Sequence, residues 1–318
     1  MLKTKSPKNG NRIMLLLTFW LILVLLSLDL FYHGGIAISG LWSTVYIQFV
    51  AFVIPFVAYL VISKQKIGDI LLLKYPGVKN LIFSILLGVA IVPLAWVGFE
   101  IGNLLNDFLF GSQYTIAMQQ AAPSLWALVL VGGLIPSVAE EIWFRGVIFS
   151  YYQRHITIGK IAIITGLFFG LMHGIPQFIY TFIVGIIWAY TLYYTRSIWV
   201  PIISHFVANV LLHVTGFLMG SPSDSTYGYY FTEASVDYGA NYTLVENLIF
   251  FGVLGIVSAL IIFLCMRIFK KYHSLTLPWV DINVNEAAIV KSKIFTWELM
   301  AIFVIWIIVS LLSGFGIW

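Results

Sequence analysis

Residues 13–32 read IMLLLTFWLILVLLSLDLFY, and the carboxylate of Asp29 is the single charged group in the run. At about 1.5 Å per residue such a helix reaches about 30 Å, the thickness of a bilayer's hydrocarbon core. Working outward, comparable runs recur near 42–63, 80–104, 125–150, 160–174, 176–195, 198–218, 245–269 and 296–317. The pattern predicts an all-α, polytopic transmembrane helical bundle of nine spans, or eight if one of the shorter runs does not cross. Composition agrees. Of 318 residues 61% are hydrophobic and 9% charged, against about one quarter charged in soluble domains. A single cleaved signal sequence cannot account for runs spread along the whole chain. The lone cysteine, Cys265, rules out an intramolecular disulfide and a cysteine-based metal cluster.

Placement of the basic residues bears on topology. Lys3, Lys5, Lys8 and Arg12 precede the first run, and Lys64, Lys66, Lys74 and Lys79 lie between the second and third. Arg154 and Lys160, then Arg196, then Arg267, Lys270, Lys271, Lys291 and Lys293 fall in or beside the later alternate connections. The other connections that can be tested, 33–41, 105–124 and 219–244, contain no Lys or Arg. The positive-inside rule reads this as a cytoplasmic N-terminus, with the cell membrane as the expected location. Nothing in the charge pattern implies nucleic acid; the expected partners are the lipid bilayer and a peptide or lipidated peptide. The chain divides into three N-terminal helices (1–124), a core (125–218), an outer loop (219–244) and two C-terminal helices (245–318). The outer loop, with Asp224, Glu233, Asp237 and the sequon Asn241-Tyr242-Thr243, reads as a solvated connector, and 274–292 as a linker.

A charge at the centre of a spanning helix costs on the order of 3 kcal/mol on insertion scales, so ionisable groups inside the apolar runs are functional candidates. They cluster. The fourth run holds Glu140, Glu141 and Arg145, the fifth ends at His173, and the seventh holds His205, Asn209 and His213. Asp29 and Glu100 stand alone in the first and third and read as packing or polar-cavity groups. Glu141 and Arg145 are four apart, on one helix face, which predicts an ion pair; Arg145 is also expected to snorkel toward the nearby membrane surface. Glu140 is turned about 100° from Glu141 and has no partner close in sequence. His205 and Asn209 share a face, and Phe169 lies one turn before His173. Counted from the basic side, Glu140, His173 and His205 lie about 15, 20 and 10 Å deep, so they can meet inside the membrane. His213 reads as an interhelical hydrogen-bonder. Gly132, Gly133 and Pro136 suggest an opening between helices for substrate.

Glu140-Glu141-Ile-Trp-Phe-Arg145 resembles the Glu-Glu-x-x-x-Arg signature of the CPBP family, the CAAX-protease and bacteriocin-processing (Abi) intramembrane endopeptidases. Phe169-Gly-Leu-Met-His173 is similar to that family's Phe-x-x-x-His motif, and His205-Phe-Val-Ala-Asn209 to its His-x-x-x-Asn motif. Order and spacing agree, and Ser197-Ile-Trp-Val-Pro201-Ile ahead of the third motif is similar too. The resemblance covers about 125–215. It implies an endopeptidase related to the type II CAAX prenyl proteases, with Glu140, His173, His205 and Asn209 as the catalytic set and Glu141, Arg145 and Phe169 in support. Family members also include bacteriocin self-immunity proteins, so the substrate does not follow.

Peptide hydrolysis needs an activated water and stabilisation of an oxyanion. Glu140 suits the base, His173 a water-holding role, and His205 and Asn209 oxyanion donation. A second chemistry makes Glu140, His173 and His205 ligands of a zinc ion with an open position for water; the expectation leans to no metal. A third reading, a proton-coupled transporter, is disfavoured by the missing inverted repeat.

Overall fold

With no water in the hydrocarbon core, a spanning backbone must satisfy its own polar groups, and these apolar runs do so as helices. The computed structural model describes residues 5–36, 38, 40–111, 124–153, 155–219, 244–276 and 294–314. The outer loop, its sequon, Arg154 and most of the 274–292 linker lie outside the described residues. Among the described residues the long helices are α1 (Pro7–His33), α2 (Leu41–Ser63), α3 (Val78–Phe110), α4 (Leu125–Tyr152), α5 (Ile158–Leu171), α6 (Gly174–Thr195), α7 (Trp199–Met219), α8 (Leu244–Thr276) and α9 (Trp297–Gly314), with one short turn of helix, Ile67–Ile70, between α2 and α3. Each of the expected spans falls on one of them. Six are long and apolar enough to cross a membrane by length and composition; α5, α7 and α9 are shorter apolar helices. The protein is an all-α polytopic bundle and an integral membrane protein. Its outward surface is apolar: Ile249, Val253, Ile256, Leu260, Phe263 and Leu264 of α8 are all exposed, as a lipid-facing helix requires.

Helix α5 has 14 residues, about 21 Å, and so stops short of a full crossing. The chain turns at His173, where Gly174 at φ +73° supplies a left-handed conformation that a side chain would resist. It then returns as α6, packed along α5. The two helices approach closely at Gly166 and Gly185: a Cβ on Gly185 would stand 2.7 Å from the Gly166 Cα. Helix α3 lies against α6, α7 and α8, and small residues again set the approach. A Cβ on Gly102 would lie 2.1 Å from the Pro176 carbonyl oxygen. Gly102→Ala is therefore expected to force α3 away from the start of α6, at a cost of about 1–3 kcal/mol, read as a lower unfolding midpoint of the detergent-purified protein.

Polar contacts gather the basic connections at one end of the bundle. Lys5 Nζ donates to the Asp69 carbonyl (3.3 Å), and His155 Nε2 meets the Lys5 carbonyl (2.7 Å). Asn11 donates to the Ile294 carbonyl (2.8 Å) and to Thr296 Oγ1 (3.0 Å), and receives a hydrogen bond from Tyr152 OH. Arg12 pairs with buried Glu298 at 2.8 Å. Ser197 Oγ donates to the Lys74 carbonyl (2.5 Å), and Leu73 and Ser197 form a β-bridge. The start of α1, three alternate connections and the start of α9 thus share one end, as a chain whose successive long helices alternate in direction requires.

Candidate active site

Helix α4 is not uniform. Its α-helical segment Ile135–Glu141 is bracketed by π-helical turns, Leu128–Leu134 and Ile142–Ile148, and α2 has a third at Gln48–Val53. Such turns shift the facing of side chains and recur at functional sites. Here the three lie around Glu140 and Glu141.

Glu141 is fully buried and is the anchor of the arrangement. Arg145 Nη1 stands 2.8 Å from its Oε1, and His205 Nδ1 stands 3.1 Å from the same atom. Arg145 does not snorkel. Its side chain is wholly buried, Nη2 donates to the Gly185 carbonyl of α6 at 3.1 Å, and the guanidinium lies 4.9 Å from the Phe169 ring centroid and 5.3 Å from that of Trp188. A carboxylate, a carbonyl and aromatic faces hold it inside the bundle instead.

Glu140 points the other way. Its Oε1 accepts from Gln48 Nε2 of α2 at 2.8 Å. Its Oε2, buried and without a hydrogen-bond partner among the described residues, faces His173 Nε2 and His205 Nε2, each at 3.9 Å. Both imidazoles are held from behind. His173 Nδ1 meets the Phe169 carbonyl at 2.6 Å. His205 is clamped between Glu141 and the face of Trp188, whose ring stacks on it at 4.2 Å and 23°. Trp188 is itself fixed by a bond from Nε1 to Ser204 Oγ, 3.1 Å. Phe169 walls both imidazoles, at 4.5 Å from His173 and 5.8 Å from His205.

These contacts set the protons. A carbonyl and a carboxylate accept, so in each neutral imidazole Nδ1 carries the hydrogen and Nε2 presents a lone pair. Three acceptors, Glu140 Oε2 and two Nε2 atoms, then converge on one point inside the bundle. Such a cluster calls for a proton donor or a cation among them. A water donating to two acceptors would hold them about 4.5 Å apart, and a tetrahedral zinc ion would draw its ligands to about 3.3 Å; 3.9 Å lies between. The donor types suit zinc, but among the described residues no group of three His, Cys, Asp or Glu side chains is close enough to hold a metal.

Of the other expected residues, Asn209 sits one turn further along α7, with Nδ2 3.5 Å from the Gly132 carbonyl of α4. His213 Nε2 meets the same carbonyl at 3.2 Å, an interhelical contact. Asp29 pairs at 3.5 Å with His33 at the exposed end of α1, and Glu100 is half-buried in α3, away from these contacts. The glycines of α4 form no opening. A Cβ on Gly132 would lie 2.6 Å from His213 Nε2, and one on Gly133 2.6 Å from Val210 Cγ2. They are the line along which α4 and α7 touch, because small residues let spanning helices approach.

Gln48 is the site residue that the sequence reading missed. It is the one amide in an otherwise apolar run, and a search for ionisable groups passes over it.

Residues 122–211 match the model of a family described as Rce1-like, type II CAAX prenyl endopeptidase Rce1-like. The chain is also 25% identical, over 55% of its length and 70% of the relative's, to a Bacillus subtilis (strain 168) protein described as "Putative membrane peptidase YdiL". No solved structure matches. Residues 122–211, which hold all three motifs, are thus similar to the CAAX-protease family the motifs pointed to, and the two matches support an intramembrane protease. Glu140, Glu141, His173, His205 and Asn209 fall within the matched segment; Gln48 falls outside it.

Proposed function

We propose that the protein is an intramembrane endopeptidase that hydrolyses a peptide bond near the C-terminus of a membrane-associated peptide, CAAX-like and prenylated or otherwise lipid-borne. The observation that carries the reading is the meeting of Glu140 Oε2 with the Nε2 atoms of His173 and His205 in a buried, membrane-embedded point. Water placed there donates one hydrogen to Glu140 Oε2 and the other to an imidazole Nε2. Its oxygen attacks the peptide carbonyl carbon as Glu140 takes the proton, and the protonated Glu140 then returns that proton to the amine as the C–N bond breaks. Such base catalysis contributes about 10²–10⁴-fold.

In this reading the roles are divided differently from the sequence expectation. With Nδ1 turned to Glu141, His205 presents Nε2 to the same point as His173 Nε2, so His205 joins His173 in holding water. Asn209, whose carboxamide always carries N–H donors, is left as the oxyanion donor, a role worth about 3 kcal/mol. Glu141 and Arg145 position His205 and the α4–α6 contact. If zinc is bound, Glu140, His173 and His205 would hold it, and it would supply Lewis-acid polarisation and a more acidic water. The positive-inside rule supports a reading in which the basic end of the bundle faces the cytoplasm and the membrane is the cell membrane.

The experiment is cleavage of a fluorogenic prenylated CAAX peptide by the detergent-purified protein, with and without a chelator. Activity that persists in chelator is the expected result. Loss in chelator with recovery on zinc addition would replace the metal-free mechanism with the zinc one.

A further inference from the structure

We propose that Gln48 is a positioning residue for the Glu140 carboxylate, acting from α2 on a site otherwise built by α4, α5, α6 and α7. The inference rests on the peptidase reading above and deepens it.

The contact is direct and enclosed. Gln48 Nε2 lies 2.8 Å from Glu140 Oε1, and Gln48 and Glu140 are 6% and 7% exposed. Gln48 opens the π-helical turn of α2, Gln48–Val53, which packs on the Ile135–Glu141 segment of α4. The same two helices are pinned one turn on, where Trp143 Nε1 donates to the Phe52 carbonyl at 2.8 Å. The amide is therefore presented by a fixed backbone.

Packing alone does not explain an amide here. Gln48 Oε1 is buried without a hydrogen-bond partner among the described residues, and a buried unsatisfied carbonyl costs about 1–3 kcal/mol. Methionine or leucine would fill the volume without that cost. What glutamine adds is the N–H. A carboxylate's terminal torsion is broad and roughly two-fold, so Glu140 on its own is free to turn either oxygen toward the imidazoles or away. With Oε1 occupied by Gln48, Oε2 is held toward His173 Nε2 and His205 Nε2, at 3.9 Å from each.

The test compares wild type, Gln48→Met, Gln48→Asn and Glu140→Gln in steady-state cleavage of the same prenylated peptide, with a thermal melt of each. Gln48→Met keeps volume and loses the donor; kcat is expected to fall about 10- to 100-fold, by analogy with the loss on removing a partner that orients a metal-ligating side chain, with KM and the melting temperature unchanged. Gln48→Asn keeps the amide but draws it back by one methylene, and its kcat is expected between the two. Wild-type kcat in Gln48→Met overturns the proposal. So does a loss expressed in KM or accompanied by a lowered melt in both Gln48 variants, which marks a structural role. Wild-type rates in Glu140→Gln remove the reading beneath it, whereas an inactive Glu140→Gln beside a fully active Gln48→Met removes this inference alone.

Discussion

Glu140→Gln is expected to lower kcat for peptide cleavage by about 10²–10⁴-fold while the protein folds and inserts as before. Glutamine has the shape of the carboxylate it replaces, so the contact with Gln48 and the packing of α2 on α4 survive. What is lost is the basic oxygen, Oε2, which faces both Nε2 atoms at 3.9 Å. An amide cannot take a proton from water near neutral pH, and the adjacent carboxylate points away from the two Nε2 atoms: Glu141 Oε1 is held by Arg145 and by His205 Nδ1. Initial rates on a prenylated peptide, normalised to the amount of monodisperse protein, check this.

Arg145→Met is expected to act on the fold rather than on chemistry alone. Arg145 and Glu141 are both wholly buried and 2.8 Å apart, in a medium that does not solvate an unpaired charge. Removing one partner of such a pair costs about 3–5 kcal/mol, because the other charge is left uncompensated. The guanidinium also loses its bond to the Gly185 carbonyl and its place between Phe169 and Trp188, which joins α4 to α6. A double variant, Glu141→Gln with Arg145→Met, removes both charges and is expected to regain much of the lost stability. It should not regain full activity, since a neutral amide holds the His205 ring less firmly than a carboxylate. Unfolding midpoints and cleavage rates of the two variants, measured together, separate the effects.

The spans were legible because membrane insertion depends on local composition. Long runs without charge must be helical in lipid, whatever they pack against. Convergence of Glu140, His173 and His205 could be anticipated from depth along three helices, a one-dimensional quantity. What depended on the third dimension was not legible. The partner of Glu140 lies 92 positions away at Gln48, in a run whose only visible feature is its apolarity. Proximity of Arg145 to a span end suggested an exposed guanidinium, whereas Gly185 and Trp188 of α6, distant in sequence, enclose it. Gly132 and Gly133 looked like space because glycine has no side chain; in the fold that space is filled by His213 and Val210 of α7. The proton positions on His205 follow from Glu141, whose pairing with Arg145 was expected and whose contact with His205 was not.

The central claim is that this chain hydrolyses peptide bonds through Glu140. The most direct measurement incubates wild-type and Glu140→Gln protein in heavy-oxygen water with a mixed library of prenylated and unmodified peptides, and reads new C-termini by mass spectrometry. The account predicts cleavage products whose new carboxylates carry one heavy oxygen, formed by the wild type and missing with Glu140→Gln. The same products at the same rate from both proteins would contradict it.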